Sequence, residues 1–135
     1  MSRALSLDRL EPADAQKRAA ALVPGLRERA ALGDKLRRLP DETAADLVAS
    51  KLLRLCQHAR FGGGEQGIDV LCEMLFGLGR GDGSQAWVAS VYGAKAYQTA
   101  LCDDEDEHEV WDDDPDAIIA GSLVPVGNRV EKVEG

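Results

Sequence analysis

Aromatic side chains are scarce in this sequence. Two Trp, two Tyr and two Phe make up 4% of its 135 residues, while 44% are hydrophobic. A core must therefore be built from Ala, Leu and Val. Cysteine is sparse too. Cys56, Cys72 and Cys102 are odd in number and widely spaced, which suggests neither a disulfide framework nor a zinc site. Cys56 and Cys72 stand among leucines and read as small buried hydrophobes. The two histidines, His58 and His108, form no metal-ligand cluster, and their spacing supports no nucleophile–His–acid arrangement. His58 reads as structural and His108 as solvent-facing. No apolar run reaches the roughly 20 residues that cross a bilayer, and no apolar signal segment opens the chain. A cytoplasmic protein without membrane contact is expected.

Basic residues are missing from the second half. Residues 1–60 carry 12 Lys/Arg against 8 Asp/Glu, and residues 61–135 carry 4 against 16. Much of the imbalance lies in Asp103–Asp114, with nine acids and no Lys or Arg. Nucleic acids require a concentrated basic surface, so no nucleic-acid partner is expected. The acidic run lacks the central Gly and spaced oxygens of an EF-hand loop. It reads as a solvated, flexible connector.

The residues that are present predict helices first and β structure last. Residues 1–11 read as a flexible N-terminus. Pro12 suits the first position of a helix, and Ala15, Ala19, Leu22, Val23, Leu26 and Ala30 recur at helical spacing. Pro24 should kink or split that helix. Asp41 is a plausible N-cap for a second helix, with Ala44, Leu47 and Val48 on its apolar face. Gly62-Gly63-Gly64 permits a sharp turn, with a ligand cradle as the alternative. A third helix is predicted from about Gln66 to Gly79, with Val70, Leu71, Met74, Leu75 and Leu78 inward. Ser84 or Asp82 then caps a fourth helix, with Trp87, Val88, Val91, Ala94 and Leu101 on one face. The helical domain spans 12–102 and the acidic linker 103–117. Ile118–Val126 is apolar and β-prone, Gly127-Asn128 signals a turn, and Arg129–Val133 begins a second strand. Residues 118–135 thus read as the incomplete start of a β domain. Such an arm cannot bury its own apolar face. Another chain covers it, or the sequence is a piece of something longer.

Gly77-Leu-Gly-Arg-Gly-Asp-Gly83 looks superficially like a dinucleotide loop. A helical segment precedes it, whereas that fingerprint needs a strand. It reads as a helix-to-helix connection. Trp87 and Tyr97 read as core residues or as the lining of a ligand pocket.

Several motifs carry a family resemblance from Leu22 to Gly135. They are Leu36-Arg-Arg-Leu-Pro-Asp-Glu-Thr43, Leu53-Arg-Leu-Cys-Gln-His-Ala-Arg-Phe-Gly-Gly63, Gly83-Ser-Gln-Ala-Trp-Val88, Val110-Trp111 through Pro115-Asp116, and Ile119-Ala-Gly-Ser-Leu-Val-Pro125. In this order they resemble the N-terminal part of the acyl-CoA dehydrogenase-like flavin monooxygenases, the oxygenase components of two-component systems that hydroxylate phenols. The resemblance implies a mainly α fold: an acyl-CoA dehydrogenase-like N-terminal helical domain, followed by the first strands of a β-barrel domain. In the complete family fold a C-terminal helical bundle builds a tetramer.

The resemblance also implies a reduced FMN or FAD delivered by a separate flavin reductase, and an aromatic or polyketide-like small-molecule substrate. It places Lys95, Trp87 and Ser122 on the substrate side, and Ser122, Leu123 and Pro125 beside the flavin. Relatives often carry a histidine where this sequence has Lys95. A cation there can stabilise a phenolate but lacks imidazole's acid–base range near neutral pH. Two other readings compete: an acyl-CoA dehydrogenase-type oxidoreductase, and a non-catalytic helical interaction subunit. This chain alone is not expected to be active.

Overall fold

A computed structural model describes residues 10–121 of the chain. The described residues form five α-helices: α1 (Pro12–Leu36), α2 (Asp41–Ala49), α3 (Ile68–Gly79), α4 (Gly83–Thr99) and α5 (Asp104–Trp111). Short 3₁₀ turns occupy Leu52–Arg54 and Ala59–Phe61. The described residues contain no strand. Residues 118–121 are extended chain, and the rest of the expected β segment lies outside the described residues.

The long α1 opens with Pro12 at its first position and ends at Arg37, whose φ of 56° is left-handed. Pro24 does not split it. Pro24 deprives the Ala20 carbonyl of its donor, and both residues lie on the exposed face, where water can serve that carbonyl. In α2 the N-cap is Pro40 rather than Asp41, and no side chain caps the helix. Asp41 instead pairs with Arg38 in the first turn. That guanidinium, by hydrogen bond and charge, holds the Asp41 carboxyl below the usual carboxylate range.

Leu26 of α1, Leu47 of α2, Leu52 and Leu55 of the following turn, and Leu71, Met74 and Leu78 of α3 are fully buried. They form the main core with Ala15, Ala19, Ala86 and Ala89. The aliphatic core expected from the composition is present. Cys56 is buried within it, but Cys72 is exposed. Cys72 follows the buried Leu71 by one residue, a turn of about 100° around α3, which carries it off the inward face.

The inward face of α4 differs from expectation. Gln85, Ala86, Ala89, Gly93 and Ala96 are buried, whereas Trp87 is 72% exposed and Leu101 70%. Two apolar stripes run along this helix, and helical period alone does not choose between them. The neighbour chooses: α3 presents Leu71, and a Cβ added at Gly93 would lie 2.7 Å from Leu71 Cδ1. Only short side chains allow so close an approach. Asp82 supplies the N-cap, its carboxylate accepting from the Gln85 amide at 2.8 Å.

A buried polar relay ties three helices together. The Thr43 hydroxyl donates to Gln85 Oε1 at 2.8 Å, Gln85 Nε2 donates to the Leu26 carbonyl at 2.8 Å, and Arg29 Nε donates to Thr43 Oγ1 at 2.9 Å. The acidic run is also more than a connector. Residues 104–111 form α5, whose first turn holds four acids, a favourable placement at the positive end of a helix dipole. Its inward residues, Glu107 and Trp111, are buried.

Candidate functional site

The outer flank of α4 is the natural place for a site. Trp87, Val91 and Lys95 are four residues apart, so they advance by only about 40° per step and share one stripe. Trp87 stands in solvent. Lys95 is half-buried, and its Nζ donates to Gln98 Oε1 at 3.0 Å. It has no carboxylate partner among the described residues. Tyr97, the other aromatic weighed for a pocket, packs partly buried against the core.

The chain after α5 crosses this flank. Gly121 lies against Lys95: a Cβ there would be 3.1 Å from Lys95 Cε and 3.4 Å from Nζ. The backbone therefore reaches Lys95 one residue before Ser122. Ser122, Leu123 and Pro125 themselves lie outside the described residues. Ile118 and Tyr92 meet at a cleft of about 240 Å³ that also involves Leu39 and Leu53. Beside the N-terminal end of α4 a wider groove of about 660 Å³ continues past Arg38 and Leu39 to Trp87 and Val88.

A set of charged contacts brings the chain to this crossing. Glu107, 1% exposed, receives a hydrogen bond from His58 Nδ1 at 2.8 Å and an ion pair from Arg60. Arg60 also reaches Asp104 at 2.7 Å and, chiefly by that hydrogen bond, holds the Asp104 carboxyl below its usual range. Trp111 packs with Phe61 and Ala96 in a second apolar cluster that includes Ile119. Next along the chain, Gln57 Nε2 donates to the Pro115 carbonyl at 3.3 Å. Asp116 then bridges Lys51 Nζ at 2.6 Å and Arg54 Nη1 at 3.1 Å.

The glycine turn supports these contacts and does not cradle a ligand. Gly62 has a φ of 84°. The amides of Gly62, Gly63 and Gly64 donate to the carbonyls of Ala59, His58 and Arg54, so they are already used. Gly63 and Gly64 are needed for another reason: a Cβ at either would press on the backbone of Gln57 or Leu55.

Sequence reasoning missed the roles of Arg54, Glu107 and Asp116. One signal was available. Glu107 and Trp111 are four residues apart, so in a helix they share a face, and a lone Trp within a run of acids needs an apolar contact. His58 is structural as expected, and His108 is exposed beside Asp112. The described residues contain no group of His, Cys, Asp and Glu able to hold a metal and no helix long and apolar enough to cross a membrane.

The chain is homologous to a part of the oxygenase components of flavin-dependent monooxygenases, and its helical unit superposes on that of one of them. Flavin-dependent monooxygenase oxygenase subunit HsaA of Mycobacterium tuberculosis is 36% identical over 124 residues, covering 90% of this chain and 32% of that protein. The oxygenase component of p-hydroxyphenylacetate 3-hydroxylase from Acinetobacter baumannii is 31% identical over 114 residues, covering 84% and 27%. The crystal structure of HsaA from M. tuberculosis superposes with a TM-score of 0.76 at 31% identity, over 80% of this chain and 30% of that one. The chain thus spans between about a quarter and a third of the length of these relatives. No family model matches it.

Proposed function

We propose that this chain forms the N-terminal part of the oxygenase component of a cytoplasmic two-component flavin monooxygenase, assembled as a tetramer. Reduced FMN or FAD arrives from a separate reductase, and an aromatic or polyketide-like substrate is hydroxylated. Similarity to the HsaA oxygenase subunit over 90% of the chain carries this reading. The flavin, when bound, supplies the oxygen chemistry.

The residues of this chain have other tasks. Trp87 offers a flat apolar face to a ring. Lys95 fits an anionic group, because no carboxylate among the described residues neutralises it. A positive charge at this half-buried place stabilises a developing phenolate or a substrate carboxylate. The family resemblance gives Ser122 a substrate-side role, and Leu123 and Pro125 a role beside the flavin. Tyr92, Ile118 and Leu39 make a largely apolar cleft beside the wall.

The test is turnover by the natural full-length protein with a flavin reductase, NADH and candidate phenols. Oxygen uptake with a hydroxylated product is expected, and Lys95→Ala should lower kcat/KM by about 10- to 100-fold. Oxidation of acyl-CoA without oxygen uptake would overturn the reading.

A further inference from the structure

One buried guanidinium touches three of the groups that lead to the crossing. Arg54 is 8% exposed. Its Nε donates to Gln57 Oε1 at 3.1 Å, its Nη2 to the Phe61 carbonyl at 2.6 Å and its Nη1 to Asp116 at 3.1 Å. Those three partners are, in order, the residue that holds Pro115, the turn on which α5 docks, and the carboxylate at the start of the crossing segment. Asp114 tightens the same corner: its side chain accepts from the Asp116 amide at 2.9 Å and its carbonyl from the Ala117 amide at 3.0 Å. Beyond Ala117 no hydrogen bond among the described residues holds the segment up to Gly121, and it relies on apolar contacts and on the stem of Lys95.

We infer that Arg54, acting through Asp116, is a positioning residue. It sets where residues 117–121 cross α4, and so sets the wall around Lys95. Only the functional meaning of that wall rests on the proposed oxygenase reading. A lysine could not replace Arg54, because three acceptors in different directions need a planar fork with several donors.

Asp116 is the place to test this, since it is one-third exposed and its loss leaves the core intact. Asp116→Asn in the 135-residue chain keeps the shape and removes the charge. Hydrogen exchange at the Asp116 and Ala117 amides, which both donate to Asp114, should rise at least about tenfold while α3 and α4 keep their protection. Acylation of Lys95, read by mass spectrometry, should speed up, with Lys17 and Lys35 on the exposed face of α1 unchanged. Asp116→Glu should restore both readings in large part. Arg54→Lys should reproduce the Asp116→Asn pattern, and if it unfolds the chain the Asp116 variants decide. Unchanged exchange and unchanged Lys95 labelling in Asp116→Asn would overturn the inference. Both readouts concern the segment alone. A full-length protein that fails to hydroxylate would therefore defeat the oxygenase reading and leave this one standing.

Discussion

Gly63 packs directly against the carbonyl of Gln57, so close that any side chain at 63 would collide with the backbone at 57. The contact folds the glycine turn back onto the segment that carries Arg54 and His58. Backbone cannot yield as a side chain can. Gly63→Ala should therefore cost about 3 kcal/mol, near the upper range for overpacking. Gly62→Ala acts differently, by forcing a Cβ into a left-handed conformation, and should cost about 1–2 kcal/mol. Urea denaturation of both variants checks the order, and a Gly63→Ala protein as stable as the wild type would contradict it.

Thr43 serves Gln85 and Arg29 at once, inside the contact of α1, α2 and α4. Thr43→Val preserves volume but leaves Gln85 Oε1 and Arg29 Nε without that partner. Stability should fall by about 1–3 kcal/mol, the usual penalty for an orphaned buried polar group. A double-mutant cycle with Gln85→Leu should show that the losses are not additive, since both changes break one relay.

Burial pushes the Cys56 thiol up to about 11, with the charges of Asp69 and Cys72 adding to the shift. The thiolate is the reactive form, so this cysteine should be inert near neutral pH. Alkylation of the native protein at pH 8 should label the exposed Cys72 and Cys102 and reach Cys56 at least about 100-fold more slowly. Equal labelling of all three would show that the core around Leu55 is open.

Asp116 gives a pH signature. Partial burial pushes its carboxyl up, but the Lys51 hydrogen bond and the charges of Arg54 and Lys51 outweigh that and hold it below the usual range. A group depressed in the folded state stabilises fully above its unfolded value, about 4, and loses that effect as pH falls through the folded value. The stability gap between wild type and Asp116→Asn should be constant from pH 7 to 5 and shrink only below about pH 4. A gap that closes already near pH 6 would assign the effect to another group.

The sequence revealed the helices well where one stripe was apolar and the other charged. The faces of α1 and α3 were legible because Ala15, Ala19 and Leu26, and Leu71, Met74 and Leu78, recur at helical spacing, even though Phe76 stands exposed on the far side of α3. α4 was not legible in this way. Its large residues Trp87 and Val91, with Leu101 just beyond its end, suggested a core face, but the bulk of α3 admits only short residues there. Nor was α5 legible from charge, since nine acids look solvated until His58 and Arg60 supply partners from 49 and 47 residues away. Of the site, Lys95 and Trp87 were named from family motifs, whereas Arg54 and Asp116 emerged only when distant segments met in space.

The small-residue face of α4 has a consequence for how such a protein can change. Packing is carried by Ala86, Ala89, Gly93 and Ala96, and the opposite stripe contributes little to holding the helix in place. Residues 87, 91 and 95 can therefore be exchanged without rebuilding the interior. One scaffold can thus carry different side chains along this flank, and a lysine in place of another residue at position 95 is the kind of change that this division of labour tolerates.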